Sequence, residues 1–200
     1  ANEMFLDSAS LRSSIVSHAK TLGYVPSSAR AAKATVDVTL NTNASTATMP
    51  AGTVFSTSVG DTTFQFSTIE AFTKSNTGNS IPFVGVDIFE GTFITTRYTV
   101  DTSDIDQRFL LTDNRADTST LIVNVQTSGT DSTSTTFTEA TDITQVTAGS
   151  NVFFLQEVEA GLFEIYFGDG IIGTALSDDN IVILTYVVSN KTAANGASLF

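Results

Sequence analysis

Six residues in the last fifth of the chain, Gly168-Asp169-Gly170-Ile171-Ile172-Gly173, satisfy the GxGxxG spacing that cradles a dinucleotide phosphate, and they come directly after a segment that reads as a strand. That chemistry needs a helix next, whose free amides face the phosphate. Only the residues Thr174 to Asn180 precede the next strand, and they include the turn-forming Ser-Asp-Asp-Asn. No acidic residue stands about 20 positions on to hold a ribose. The glycines therefore read as backbone devices, supplying angles that a side chain would forbid. Gly168, Asp169, Gly170 and Gly173 are expected to order a tight turn supporting the core sheet, so that Gly170→Val impairs folding.

Other groups are weaker candidates for chemistry. Three sets of aspartates stand close in sequence: Asp101, Asp104 and Asp106; Asp113 and Asp117; Asp169, Asp178 and Asp179. Calcium takes such ligands, but the fixed EF-hand positions with a closing Glu are absent, and exposed Asp in turns commonly caps backbone amides. His18 is the single histidine, which removes His-based metal sites and leaves a Ser-His-Asp triad without partners; it reads as ordinary helix surface. Glu157, Glu159 and Glu164 have the composition of a paired-carboxylate hydrolase site, yet Glu157 and Glu159 share one face of a strand and read as solvent-facing. The chain has no Trp to stack sugars and no Cys for a nucleophile, thiolate site or disulfide. The residues assign no catalytic group, metal or cofactor.

The elements that must position these residues are mostly strands. Leu11, Ile15, Ala19 and Leu22, widened by Val16, make an apolar stripe that predicts a helix within the first 23 residues, capped by Asp7, Ser8 or Ser10 and stopped by Gly23 and Pro26. Ala1 to Leu6 is also helix-compatible and begins without a start Met, which points to a helix that starts upstream. Ser27 to Ala34 predicts a second short helical turn. From Thr35 the period changes to two, with Val36, Val38 and Leu40 on one face. Asn41 to Thr48 reads as a loop, and Pro50 and Gly52 as a turn feeding Val54 and Phe55 into a strand. Further strands are expected around Thr63–Phe72, Phe83–Phe89, Thr92–Val100, Leu121–Val125, Val152–Val158 and Leu162–Phe167. Thr127 to Thr136 reads as a linker too polar to pack. Ile181 to Val188 is the most hydrophobic run and predicts burial on both faces. The fold class is mainly β with a short α-helical N-terminal segment: antiparallel sandwich or barrel-like sheets, in one large domain or two small ones. The expected organisation is a helical lead-in over 1–34, the first part of a β domain over 35–100, an inserted β subdomain over 101–160 with its seam in the Asp-dense segment, and strands over 161–200 completing the first domain.

Composition narrows the partners. A net charge of −12 with only nine Lys and Arg argues against nucleic acid and anionic membrane, both of which require clustered basic residues. No stretch reaches the roughly 18–20 apolar residues of a membrane span. Ser and Thr supply the neutral polar surface, and Thr suits a pleated sheet.

Three stretches, in order, carry a family likeness. Glu164 to Gly196 (EIYFGDGIIGTALSDDNIVILTYVVSNKTAANG) resembles the signature of baseplate J-like proteins; Asn2 to Val38 is similar to the helix-to-first-strand passage of T-even-type baseplate wedge subunits; and Met49 to Phe55 (MPAGTVF), with Pro50 and Gly52, looks like the family's Pro-Ala-Gly-Thr turn. The resemblance implies a non-enzymatic structural piece of a contractile-tail baseplate, located in the virion and assembled in the host cytoplasm, whose partners are other wedge subunits and further copies of itself. It also implies that this chain is a piece of a longer subunit. A carbohydrate-binding or adhesin-like tail module is the alternative reading of the Thr-rich β composition.

Overall fold

A computed structural model describes residues 2–5, 7–24 and 26–200. Of the helix-compatible start Ala1 to Leu6, Ala1 and Leu6 lie outside them, and Asn2–Met4 forms a 3₁₀ turn. Among the described residues the chain is mainly β, with thirteen strands and one α-helix. The strands are β1 (Lys33–Asn41), β2 (Thr46–Met49), β3 (Val54–Val59), β4 (Thr62–Ser67), β5 (Phe72–Ser75), β6 (Ser80–Glu90), β7 (Thr92–Thr99), β8 (Phe109–Leu110), β9 (Ala116–Gln126), β10 (Ser134–Glu139), β11 (Val152–Glu157), β12 (Phe163–Phe167) and β13 (Ile181–Val188). They form three sheets, ordered β1-β6-β4-β3, β7-β13-β9-β10-β11-β12-β8 and β2-β5. The registered pairs are antiparallel except β10 with β11, which run parallel over two residue pairs.

The chain divides into two compact units that do not follow sequence order. Unit 1 comprises Ala1–Ser28, Thr95–Ala116 and Ile122–Leu184; unit 2 comprises Ala29–Ile94, Asp117–Leu121 and Thr185–Phe200.

In unit 2 the core is Met49, Phe64, Phe66, Ile81, Phe83, Val86, Ile88 and Ala194. Along β6 the buried positions step by two, slip by three between Phe83 and Val86, and then step by two again. The slip is a β-bulge: Val36 pairs with Val86 and Val38 with Phe83, so Val84 and Gly85 together oppose Asp37. Gly85 takes φ +70°, and its N–H donates to Asp37 Oδ1 at 2.7 Å. At the joint between β6 and β7, Gly91 has φ +128°, and a Cβ there would stand 2.8 Å from the carbonyl carbon of Val188. Only glycine fits both the angle and the space. Glu90, with no exposed surface, accepts hydrogen bonds from the backbone N–H of Asn190 at 2.9 Å and from its Nδ2 at 2.7 Å.

In unit 1, β11 alternates strictly, whereas β12 buries Phe163, Glu164 and Ile165 in succession and so is covered on both faces there. Phe153, Leu155, Phe163 and Ile165 are buried on one face, and Phe109, Phe137 and Phe167 meet edge-to-face at centroid distances of 5.4–5.5 Å. The α-helix α1 (Arg12–Thr21) is shorter than the predicted stripe and buries Val16 and Ala19 of the stripe, leaving Leu11, Ile15 and Leu22 exposed. Gly23 stops it as expected: φ is +72°, and Tyr24 N–H donates back to the Ala19 carbonyl at 3.0 Å in a Schellman closure. Its start differs from the expected Asp7, Ser8 or Ser10 cap. The Glu3 carboxylate, from a preceding 3₁₀ turn (Asn2–Met4), accepts from the N–H of Ser10 and Leu11, each at 3.2 Å, and from Ser10 Oγ at 2.8 Å.

The hydrogen bonds to Glu3, led by the Ser10 hydroxyl, lower its pKa to about 2. A depressed carboxylate stabilises the fold above its unfolded pKa of 4.5, and that contribution fades as pH falls through the folded value. Amide exchange at Ser10 and Leu11 is therefore expected to accelerate between pH 4.5 and about 2 beyond its intrinsic pH trend. In Glu3→Gln the same amides are expected to exchange fast throughout; an unchanged wild-type-like profile in that variant would remove the cap.

Two local expectations are corrected. Ser27 to Ala34 is not helical: Ala31 N–H donates to Asp117 Oδ2 at 2.8 Å, Ala32 accepts from Glu90 N–H at 2.8 Å, and β1 starts at Lys33. The polar stretch Thr127–Thr136 is not all linker, because β10 begins at Ser134 against β9 and buries Phe137.

Candidate functional site

The glycine turn is built by β12, which delivers Gly168 into a hairpin-like return on itself. Gly168 and Ala175 form a parallel bridge, and a Cβ on Gly168 would sit inside the contact distance of the Gly173 carbonyl and the Ile172 oxygen. Asp169 Oδ1 accepts from the N–H groups of Ile171 and Ile172, both at 2.9 Å; these bonds, that of Ile172 first, hold its carboxyl below the usual range. Gly170 N–H donates to the Gly173 carbonyl at 3.0 Å, and both glycines take φ +86°. The loop is then tied down by Gly173 N–H to Thr147 O at 3.1 Å and Thr174 N–H to Ser150 O at 2.9 Å. Beyond it a Ser177–Asn180 turn, and no helix, leads into β13. The Ile171 and Ile172 amides that a phosphate would need are taken by Asp169.

The second turn lies in unit 2. Pro50 O accepts from Thr53 Oγ1 at 2.7 Å and from Thr68 Oγ1 at 3.0 Å, while Gly52, at φ +78°, donates its N–H to Thr68 O at 2.7 Å. A Cβ on Gly52 would stand 2.8 Å from the Phe93 ring. This is a packing turn, free of titratable groups.

The carboxylates are arranged differently from the solvent-facing reading. Glu157 is buried, on the same face of β11 as Phe153 and Leu155, and Arg12 reaches it with two hydrogen bonds at 2.9 and 2.7 Å. Glu159 is not beside it on the strand but in a 3₁₀ turn (Glu159–Gly161). Glu164 is buried on the opposite face of the sheet, opposite Gln156, where Arg108 grips it bidentately, with Nε 2.9 Å from Oε1, and the Tyr166 hydroxyl donates to it at 2.9 Å. The Tyr166 hydroxyl pKa is raised, first by burial and then by that carboxylate. Because Glu157 and Glu164 point to opposite faces, they do not flank a common substrate. Each is a clamp: a buried carboxylate neutralised by a largely exposed arginine. Sequence spacing hides these pairs, since the partners lie 145 and 56 residues apart.

The aspartates mostly cap turns, as their type predicts. Asp101 accepts from Ser103, Asp104 from the N–H of Asp106, Asp113 from Arg115 and Asp178 from Thr102. Asp117 departs from the exposed pattern: it is buried and holds Ala31, Ser119 and, at 3.9 Å, Arg30. Among the described residues no three acidic or His side chains converge as metal ligands. His18 is half-buried, not free surface, with Nε2 2.9 Å from the Glu3 carbonyl.

Three cavities among the described residues bear on the site. One of about 230 Å³ is lined by Tyr24, Phe154, Gln156, Glu157 and Tyr166 among others. Another of about 260 Å³ lies beside Glu164, Phe109 and Leu176. Both fall below the roughly 300–1,000 Å³ of small-molecule sites. A wider, open depression of about 550 Å³, lined by Val59, Thr62, Thr63, Phe64, Asn190 and Ala193, contains no titratable side chain. No helix among the described residues is long and apolar enough to cross a membrane. No family model matches the chain, and no curated protein matches its sequence at a significant level.

Proposed function

We propose that this chain is a structural wedge component of the contractile-tail baseplate of a tailed bacteriophage, working in the virion by protein–protein assembly and not by catalysis. The observation that carries this reading is the Gly168–Gly173 turn, the centre of the stretch that resembles baseplate J-like proteins. The amides of Ile171 and Ile172 are taken by its own aspartate, that of Gly170 by the Gly173 carbonyl and that of Gly173 by the Thr147 carbonyl, which supports a shape-holding device and not a phosphate cradle. Arginine clamps on buried carboxylates suit a part that must keep its shape under load. The partners proposed are other wedge subunits and further copies of the subunit; a charge of −12 disfavours nucleic acid and anionic lipid.

Co-expression of the chain with the wedge proteins encoded in the same tail gene cluster tests the reading. A stoichiometric complex by size exclusion with light scattering is expected, and a chain that elutes alone in every combination would refute it. Carbohydrate binding is the second reading, favoured by one observation: Tyr24 and Tyr166, both partly exposed, line the cavity of about 230 Å³. Glycan-array binding lost in Tyr166→Ala would decide for it.

A further inference from the structure

The acidic excess of the chain is concentrated at one place. Four loops of unit 1, residues 101–107, 127–133, 140–151 and 168–180, contain Asp101, Asp104, Asp106, Asp131, Asp142, Asp169, Asp178 and Asp179, eight carboxylates, and no Lys or Arg. All eight are exposed. The loops adjoin: Thr102 N–H donates to Asp178 at 3.0 Å, Asn180 Nδ2 to Thr127 O at 2.9 Å, and Gly173 and Thr174 bond to Thr147 and Ser150. Set among these charges are four isoleucines in solvent: Ile105, 94% exposed, Ile171, 76% exposed, and Ile143 and Ile172. Each stands within three residues of an aspartate. Folding gains nothing from a branched aliphatic side chain at a loop tip in water, and four of them on acidic loops that hydrogen-bond to one another offer apolar anchor points within a charged surface, as an interaction site does.

We infer that this loop end is a docking surface for a protein face with an apolar centre and a Lys/Arg rim. The inference rests on the assembly reading and names the kind of partner. Charge complementarity selects the occupant. Nucleic acid and anionic lipid are repelled, and the same face of a second copy would set eight carboxylates against eight, whereas a basic protein rim is steered in and seats the isoleucines in its centre. The surface is also set in advance. The hydrogen bonds that Ser103, Thr133, Thr144 and Ile172 donate keep Asp101, Asp131, Asp142 and Asp169 ionised and fix their loops, which lowers the ordering cost of binding.

The test titrates the full chain against each wedge subunit of the same gene cluster, purified singly, by surface plasmon resonance. Ile105→Ser/Ile171→Ser is expected to weaken the complex at least about tenfold with an unchanged thermal midpoint. Asp106→Asn/Asp179→Asn, at positions with no turn-capping role, is expected to slow association several-fold at low salt and to have little effect at high salt. Wild-type affinity in both double variants would overturn the surface while leaving the assembly reading intact. A wild-type chain that binds none of these subunits would overturn both. Self-association abolished by the isoleucine changes would replace the stated occupant with a second copy.

Discussion

Gly168→Ala is expected to lower the unfolding free energy by about 3 kcal/mol, against about 1 kcal/mol for Gly170→Ala. The two glycines serve different physical ends. Gly170 needs its positive φ, but a methyl group there would meet only the Ala175 side chain, at an ordinary 3.7 Å. Its replacement brings backbone strain alone, and the bulk and β-branching of Gly170→Val add to that strain. Gly168 has no left-handed angle, but its Cα lies so close to the returning Gly173 carbonyl that a methyl group must push the backbone apart, breaking the bridge to Ala175. Chemical denaturation of the two variants side by side checks this. Equal losses would mean that the angle, and not the close approach, governs the turn.

Arg12→Ala is expected to cost about 2 kcal/mol, less than the roughly 3–5 kcal/mol of a fully buried pair, because the Arg12 side chain is 63% exposed while that of Glu157 is 2% exposed. The loss arises from the carboxylate left behind in the core face of β11, not from the attraction forgone. Combining Arg12→Met with Glu157→Leu is therefore expected to return the protein to within about 1 kcal/mol of the wild type, since an apolar pair of similar volume demands no charge solvation. A double variant as unstable as Arg12→Ala would show instead that the guanidinium itself, with its two hydrogen bonds, is what matters.

Local pattern made much of the fold legible. The alternation of Val36, Val38 and Leu40 gave β1, and the strongly apolar run at Ile181–Val188 gave a strand with Val182, Leu184 and Tyr186 wholly buried. The Gly23 stop and the Pro50–Gly52 turn follow from residue type. Long-range partners were not legible. β10 has one buried apolar residue, Phe137, and becomes a strand only because β9 lies alongside it. The second helical turn expected over Ser27–Ala34 failed because Asp117, 86 residues away, takes the Ala31 amide. Arg12 and Arg108 carry no sign in the sequence that their charges belong to buried glutamates. At the candidate site the glycine turn could be read from spacing, but the tighter role of Gly168 could not, since a close approach between backbones depends on how the loop returns.

The bond between Glu90 and Asn190 has a consequence for how the protein comes into being. A ribosome adding about 5–20 residues each second needs on the order of 5–20 s to travel the 100 positions between them. Throughout that interval the nascent β1–β6 segment has its phenylalanines in place but lacks the later stretch that completes its interior. Maturation of this half must wait for that stretch to emerge, and the waiting chain is a natural client for a holdase chaperone.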